Sequence, residues 1–260
     1  MKVYTDQYAI ITGASQGLGK AFALSLAKRK RNLILISLPN QNLKELSHHI
    51  MTNYNVDVAY FETDFSSDEN VTSLTKHLNK NYNVDVLINN AGTGGTKKME
   101  DVTLNYLNTI IQVNVKATTV FTHQLLSNLK KQSRSYILNV SSIAAFSPVG
   151  YKTVYPASKA FIHSFSLGLS EELKNSNISV SVINPGAMKT NPEITARIEK
   201  QGFIGKLTLL EPQKVAEYSL KKMFNGSTFI LINPVSWFIS TLLPNWIKVP
   251  MMTNIVKREA

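Results

Sequence analysis

Tyr155 and Lys159 lie four residues apart in the segment YPASK, within a long amphipathic pattern. Residues at this spacing share one face of a helix, so the sequence brings an ammonium group close to a phenol. A nearby cation favours phenolate and lowers the pKa of a tyrosine, which makes the side chain a usable acid or base. A Tyr–Lys pair at this spacing is also common on solvated helix surfaces. The interpretation therefore depends on what the rest of the chain places around the pair.

Short apolar, β-branched runs alternate with longer segments of helical periodicity, which is typical of a parallel sheet with crossover helices. Strands are predicted at Tyr8–Thr12, Asn32–Ser37, Val56–Glu62, Val84–Asn89, Ser135–Ser141, Ile178–Asn184 and Thr228–Ile232. Helices are predicted at Gly17–Lys30, Gln41–Asn53, Asp68–Asn81, Thr103–Lys130, Tyr151–Asn175 and Pro212–Phe224. The pattern predicts one α/β domain over residues 1–232, a doubly wound seven-stranded parallel sheet with helices on both faces (the Rossmann fold). Ligands of such sheets bind outside the carboxyl ends of the strands.

Two segments depart from this alternation. Residues 186–211 form a long connection inserted after the sixth strand, and loops of this length commonly bind or cover a substrate. Residues 233–260 form an amphipathic C-terminal tail with Trp237 and Trp246, followed by the cations Lys248, Lys257 and Arg258. Two interpretations of the tail stay open: docking onto this protein or a second subunit, and peripheral contact with a membrane through aromatic and cationic side chains.

The first predicted strand ends in TGASQGLG and runs directly into a helix. Glycines at such a turn let the backbone approach a pyrophosphate, whose charge then lies at the helix N-terminus. The candidate contacts are Gly13, Ser15, Gln16, Gly17, Leu18 and Gly19. The fourth strand ends in NNAG, where Asn90, Ala91 and Gly92 could line the cofactor cleft.

These two motifs occur in a fixed order with three others. TGASQGLG, NNAG, a serine at a strand end (Ser142), YPASK and NPGAMKT together resemble the classical short-chain dehydrogenase/reductase family, over most of the chain. The resemblance implies hydride transfer between a nicotinamide cofactor and a carbonyl or alcohol. The hydride chemistry belongs to the cofactor, so the protein supplies position and electrostatics.

The resemblance implies four catalytic residues. Tyr155 would protonate the developing alkoxide in reduction, and Lys159 would lower the pKa of Tyr155 and hold the nicotinamide ribose. Ser142 would donate a hydrogen bond to the substrate oxygen. Asn114 would position a water that links Lys159 to solvent, although an amide within a helix can also serve a local hydrogen bond. Ser141 competes with Ser142, and the thirteen-residue offset from Tyr155, usual in the family, favours Ser142.

Further cofactor contacts follow from the same resemblance. Asp64 corresponds to the residue that contacts the adenine amino group, and Thr63 or Phe65 would frame the ring. After the sixth strand, the residues expected to hold the nicotinamide are Pro185, Gly186, Met188 and Thr190.

The end of the second strand bears on the choice of cofactor. NAD-specific sites usually place an acid there to bind the ribose diol, but Ile36-Ser37-Leu38-Pro39-Asn40 contains none. A 2′-phosphate would meet no repulsion, and Ser37 and Asn40 could hydrogen-bond it. Against this, many NADP-preferring relatives carry an arginine where Leu38 stands, and Gln16 is not basic. The sequence favours NADP(H) over NAD(H).

Composition bears on other classes of function. The net charge is +11, but the densest basic run, Lys28 to Arg31, closes a predicted helix without interleaved aromatic residues, so no nucleic-acid partner is predicted. The chain has no cysteine and its five histidines are scattered, so no metal site is predicted. The short polar segment before the first strand does not fit a signal peptide, and the sequence predicts a cytoplasmic protein.

The sequence therefore predicts an NADP(H)-dependent oxidoreductase that acts as a carbonyl reductase on a small, fairly apolar substrate. A homodimer or homotetramer is expected through the helices Thr103–Lys130 and Tyr151–Asn175. An NAD-linked alcohol or hydroxysteroid dehydrogenase is the alternative among enzymes. A non-catalytic dinucleotide-binding regulator is the alternative of another class, and Ser142, Tyr155 and Lys159 argue against it because a sensor has no use for an acid/base.

Overall fold

The computed structural model describes residues 6–188 and 209–257. The strands are β1 (Gln7–Thr12), β2 (Asn32–Ser37), β3 (Val58–Glu62), β4 (Asn83–Asn89), β5 (Ser135–Val140), β6 (Ile178–Ile183) and β7 (Phe229–Ile230). The helices are α1 (Gly17–Lys28), α2 (Leu43–Tyr54), α3 (Asp68–Asn81), α4 (Leu104–Ile111), α5 (Thr118–Lys130), α6 (Val154–Glu172), α7 (Pro212–Phe224), α8 (Pro234–Leu242) and α9 (Asn245–Lys257).

The seven strands are parallel and form one sheet in the order β3-β2-β1-β4-β5-β6-β7. The direction of winding reverses between β1 and β4, and the carboxyl ends of these two strands open a crevice at the reversal. The predicted fold class, a doubly wound parallel sheet in a single domain, is confirmed. The crevice is where a ligand is expected.

Both faces of the sheet are buried, which explains why the strands are continuous apolar runs. Ile10 and Ile34 point into one core layer with Phe121 of α5, while Ile11 and Leu35 point into the other, which α1, α2 and α7 cover. Neighbouring residues of a strand face opposite sides, so each strand supplies both layers. The covered sheet is a rigid base from which its strand ends project.

The helix predicted over Thr103–Lys130 contains a π-helical turn. Residues Gln112–Ala117 form that turn between α4 and α5, and Asn114 lies within it. An extra residue per turn shifts the side chains around the helix axis, and such turns occur often at functional sites. The helix predicted from Tyr151 begins instead at Val154, because Tyr151 has a left-handed backbone with φ of 63°.

The tail forms α8 and α9 and packs on the segment that follows β5. Lys248 is 5 % exposed, and its Nζ donates hydrogen bonds to the carbonyls of Phe146 and Ser240. The Thr253 hydroxyl accepts the Gly150 N–H at 2.9 Å. The tail therefore docks on its own domain, one of the two predicted interpretations, and Lys248 is an internal anchor rather than a surface cation. No helix within residues 6–188 and 209–257 has the length and apolar character needed to cross a bilayer.

Candidate active site

The turn between β1 and α1 consists largely of backbone. Gly13 and Gly17 have φ of 65° and 54°, a region that glycine enters without strain. A methyl group at Gly19 would overlap the Gly13 carbonyl, so the helix start lies directly against the turn. The side chain of Gln16 makes no cap hydrogen bond, and the first turn of α1 holds no acid. The first N–H groups of α1 thus suit an anion such as a pyrophosphate.

Thr12 and Asn90 fasten this turn to the end of β4. The Thr12 hydroxyl accepts the N–H groups of Asn90 at 2.9 Å and Ala91 at 3.0 Å. The Asn90 side-chain amide donates to the carbonyls of Thr12 at 2.9 Å and Gly13 at 3.2 Å. The predicted contacts Gly13, Asn90 and Ala91 are therefore brought together at the crevice. Sequence reasoning missed Thr12, whose position at the last residue of β1 was the available signal.

The two adjacent serines after β5 point to different partners. The Ser141 hydroxyl is buried and donates to the Lys159 backbone carbonyl at 2.7 Å. Ser142 lies close enough to the Tyr155 phenol to lower its pKa, and its oxygen accepts the Ala144 N–H at 3.1 Å. Ser142, not Ser141, is therefore the serine that adjoins the phenol.

Lys159 is buried beside Tyr155 on α6. Its Nζ lies 5.8 Å from the centroid of the Tyr155 ring and donates a hydrogen bond to the Val140 carbonyl at 2.9 Å. The side chain is 5 % exposed. Lys159 thus lies in the interior at the end of β5 beside a partly exposed Tyr155, so the two do not form a solvated surface pair.

Burial shifts the pKa values of both members of the pair. Burial raises the pKa of Tyr155 above its ordinary value, and the nearby Ser142 side chain lowers it in part. Burial also lowers the pKa of Lys159 to about 8, because desolvation disfavours the charged form of each group. The effect of the Lys159 charge on the pKa of Tyr155 stays a prediction.

Asn114 joins three parts of the site through its side chain. Its amide nitrogen donates to the Thr93 carbonyl and to the Ser158 hydroxyl, both at 2.9 Å. Its amide oxygen accepts the Thr93 N–H at 2.8 Å. Ser158 in turn donates to the Tyr155 backbone carbonyl at 2.7 Å. Asn114 therefore braces the loop after β4 against α6, and its role in positioning a water stays a prediction.

Two glycines of the loop after β4 lie against the catalytic candidates. A methyl group at Gly92 would stand 3.3 Å from Lys159 Nζ and 3.4 Å from Asn114 Oδ1. A methyl group at Gly94 would stand 2.6 Å from Cδ2 of Tyr155. Gly92 was predicted to line the cofactor cleft, whereas Gly94 was missed, although the two glycines that follow NNAG after one residue are visible in the sequence.

The two residues predicted to contact adenine, Asp64 and Phe65, differ in how far their side chains are exposed. Asp64 is exposed, and its Oδ1 accepts the Ser66 N–H at 2.8 Å. Phe65 is 6 % exposed, and its ring packs on Phe121 with centroids 4.9 Å apart. The side chain of Phe65 is therefore part of the core, and the contact of Thr63 or Phe65 with adenine stays a prediction.

At the end of β2, the two residues predicted to bind a 2′-phosphate, Ser37 and Asn40, also differ in accessibility. Ser37 is 6 % exposed and its hydroxyl donates to the Leu38 carbonyl at 3.1 Å. Asn40 is exposed with a left-handed φ of 61°. Asn40 is therefore the more accessible donor at this end of the crevice.

The segment after β6 adjoins Ser142. The Pro185 carbonyl accepts the Ile143 N–H at 3.0 Å and lies 3.5 Å from the Ser142 hydroxyl. Gly186 follows it, and Met188 pairs with Leu210 in an isolated parallel bridge. Thr190 and residues 189–208 of the predicted loop 186–211 lie outside the described residues.

No cluster of three or more His, Asp or Glu side chains able to hold a metal ion occurs in residues 6–188 and 209–257. The lack of a metal site in the whole chain stays a prediction.

Comparison with known proteins identifies the family. The family model of short chain dehydrogenases matches residues 7–201. The very-long-chain 3-oxoacyl-CoA reductase of Rattus norvegicus is 31% identical over 252 residues, which cover 93% of this chain and 77% of the rat protein. An uncharacterized oxidoreductase of Staphylococcus aureus (strain USA300) is 30% identical over 218 residues, covering 84% of this chain and 90% of that protein.

Solved structures give the same result at the level of the fold. A short-chain dehydrogenase from Sphingobium yanoikuyae in complex with NADPH has a TM-score of 0.78 and 25% identity, covering 86% of this chain and 87% of that one. A 7beta-hydroxysteroid dehydrogenase has a TM-score of 0.86 at 21% identity, covering 95% and 96% of the two chains. The chain belongs to the short-chain dehydrogenase/reductase family and is an oxidoreductase.

Proposed function

We propose that the protein is an NADP(H)-dependent carbonyl reductase for a small, fairly apolar substrate, with Tyr155, Lys159, Ser142 and Asn114 as its proton-transfer site. The observation that carries the proposal is the buried Lys159 ammonium, 5.8 Å from the centroid of the Tyr155 ring, with Ser142 close enough to the phenol to lower its pKa. A dinucleotide-binding regulator needs the glycine turn but has no use for this buried acid–base group. The assembled pair therefore favours an enzyme over a regulator.

The residues around the crevice fit a nicotinamide dinucleotide. The uncapped start of α1 and the glycine turn suit the pyrophosphate. Gly92 leaves open a space that a methyl group would fill, next to Lys159 and Asn114. Lys159 would hold the nicotinamide ribose, and Asp64 would meet the adenine. When bound, the cofactor supplies the hydride for the carbonyl carbon.

Tyr155 supplies the proton that completes the reduction. Its raised pKa keeps the phenol protonated near neutral pH, which is the form required to donate a proton to a developing alkoxide. Ser142 adjoins the phenol and would donate a hydrogen bond to the substrate oxygen, which stabilises charge as it develops. The product is an alcohol, and Tyr155 is left as a phenolate.

Lys159 is suited to restoring that proton. Its pKa of about 8 lies close to neutral, so the ammonium group can give up and regain a proton near physiological pH. The positive charge also stabilises the phenolate formed during turnover. Asn114 holds the loop and helix on either side of Lys159, and the water that would link this lysine to solvent is part of the proposal.

The preference for NADP(H) rests on the end of β2. No acid stands at Ser37, Leu38, Pro39 or Asn40 to bind a ribose diol or repel a 2′-phosphate. The similar Sphingobium yanoikuyae dehydrogenase was solved with NADPH. A fluorescence titration with NADPH and NADH tests the preference: tighter binding of NADPH is expected, and tighter binding of NADH would favour an NAD-linked alcohol or hydroxysteroid dehydrogenase.

The substrate class rests on the rat relative, a reductase of very-long-chain 3-oxoacyl-CoA. We infer that the carbonyl group reduced by this protein belongs to a largely apolar substrate. NADPH oxidation should be followed with a panel of 3-oxoacyl thioesters of increasing chain length, apolar ketones and polar sugars. Faster turnover of the apolar compounds is expected, and turnover of the polar compounds alone would contradict the proposal.

A homodimer or homotetramer in the cytoplasm completes the proposal. Large apolar side chains are exposed on the paired helices α4 and α6: Leu104 is 79%, Ile111 49%, Phe161 42% and Leu167 38% exposed. Burying this face in a second copy would remove it from water. Sedimentation analysis at micromolar concentration tests the assembly, and a monomer would count against it. The lack of cysteine fits the predicted cytoplasmic location.

A further inference from the structure

The tail carries a cluster of exposed apolar side chains. Seven large apolar residues between positions 235 and 251 are 38% to 77% exposed. We call them the tail face: Val235, Phe238, Ile239, Leu242, Trp246, Ile247 and Met251. Clusters of this kind mark surfaces that contact another apolar phase or molecule.

The spacing within α8 shows that the cluster is a helix face. Positions 235, 238, 239 and 242 follow the i, i+3, i+4, i+7 pattern of one side of a helix. The other side of α8 is used by the domain: the Trp237 ring packs near Phe229 with centroids 6.0 Å apart. The helix is thus apolar towards the protein and also apolar towards solvent, so docking on its own domain does not account for the tail face.

The charge of the tail is distributed in a way that matches a lipid surface. Residues 233–257 include no acid, and their only cations are Lys248 and Lys257. Lys248 is buried and bonded to backbone carbonyls, so the exposed side of α8 and the start of α9 is uncharged. Lys257 at the end of α9 is exposed, and the chain carries a net charge of +11.

We propose that the tail face seats the protein peripherally on an anionic lipid bilayer. The apolar residues of α8 and α9 would enter the boundary between headgroups and acyl chains, and Trp246, at 77% exposure, would lie at the interface. The positive protein is drawn to anionic headgroups, an attraction that falls with salt. Helices of 9 and 13 residues suit an interfacial position, since a span needs about 20.

The tail face is joined to the proposed active site. Lys248 and Thr253 hold the segment between Ser142 and Tyr155 through Phe146 and Gly150. The wall of the site after Ser142 therefore rests on the same two helices that would meet the bilayer. This proposal stands on surface geometry and charge alone, and it does not depend on the reaction assigned above.

Vesicle binding by the full chain tests the proposal. Phosphatidylcholine vesicles with and without phosphatidylserine are used in co-sedimentation at low and high salt. Binding to the anionic vesicles, weakened by salt, is expected. The double variant Phe238→Ser/Trp246→Ser should bind at least about tenfold more weakly. The matched control Met51→Ser/Tyr60→Ser, which alters exposed apolar residues on α2 and β3, should bind like the wild type.

A second measurement uses the unaltered tail face. In a Trp237→Phe background, Trp246 emission should shift to the blue on addition of anionic vesicles, because the indole leaves water. The proposal is overturned by no binding to either vesicle, by equal binding of the tail-face variant, or by no shift in emission. Conversion of an oligomer to a monomer by the tail-face variant, without vesicle binding, would assign the surface to a second copy.

Discussion

Gly94 packs so closely on Tyr155 that a methyl group at this glycine would stand 2.6 Å from Cδ2 of the ring. Contacts this short do not occur between real side chains, so the ring or the loop would have to move. The ring of Tyr155 is thus held from one side by Gly94. Its position depends on a residue that supplies no side chain at all.

Gly94→Ala should lower kcat about 10- to 100-fold, because displacement of a reacting group by about 1 Å has effects of this size. Cofactor affinity should change little. Gly168→Ala is the matched control: it lies in α6 and a methyl group there meets nothing within 4 Å, so activity should stay unchanged. Steady-state kinetics and NADPH titration check both variants, and an unchanged kcat in Gly94→Ala would show that the loop adapts.

The two serines after β5 should separate activity from stability. Ser142→Ala removes the hydroxyl that adjoins Tyr155 and would donate to a substrate oxygen, and kcat should fall about 10²–10³-fold with little loss of stability. Ser141→Ala removes the buried bond to the Lys159 carbonyl, which should cost about 1 kcal/mol of unfolding free energy. Its kcat should fall much less. Urea unfolding and steady-state kinetics of both variants test this prediction. A larger loss of kcat in Ser141→Ala than in Ser142→Ala would assign the catalytic role to Ser141.

Lys159 should make the stability of the free protein depend on pH. Its pKa is about 8 in the folded state against 10.5 ordinarily, so below pH 8 both states are protonated and burial of the ammonium destabilises the fold. Between pH 8 and about 10 the folded state has lost the proton that the unfolded state keeps, and stability rises with pH. The full difference is about 3 kcal/mol.

The test compares wild type with Lys159→Met in urea unfolding from pH 7 to 9.5. The wild type should gain stability over this range relative to the variant. Lys76→Met, at an exposed lysine of α3, should follow the wild type. If the free energy of unfolding changed with pH in the same way for wild type and Lys159→Met, the pKa of Lys159 would not be lowered by burial.

The fold was predictable because a strand that is buried on both faces of the sheet must be apolar along its length, and such a segment can be recognised in the sequence. Strands such as Asn32–Ser37 are continuous apolar runs, and the observed β2 has the predicted bounds. The π-helical turn around Asn114 was not predictable, because it follows from hydrogen bonds to Thr93 and Ser158 on other elements. The two-residue length of β7 likewise depends on its pairing with β6.

Site residues were predictable where a short sequence motif contains the reacting side chains. They were less predictable where tertiary packing determines whether a side chain is buried. Tyr155 and Ser142 are brought together as expected. The packing of the Phe65 ring on Phe121 was not predictable, because a local pattern does not specify contacts across the core. Lys248 was assigned to a basic surface, yet it is buried and donates to two backbone carbonyls. Phe121 and Phe146, which these two side chains contact, lie far from them in the chain.

The Tyr155→Phe variant tests the central claim most directly, with Tyr218→Phe, at a 42% exposed tyrosine of α7, as the matched control. Removal of the phenol hydroxyl takes away the proton donor but little volume, so NADPH affinity should remain within about twofold while carbonyl reduction falls about 10²–10⁴-fold. The control should keep both properties. A Tyr155→Phe enzyme that reduces its carbonyl substrate at a rate close to that of the wild type would contradict the account.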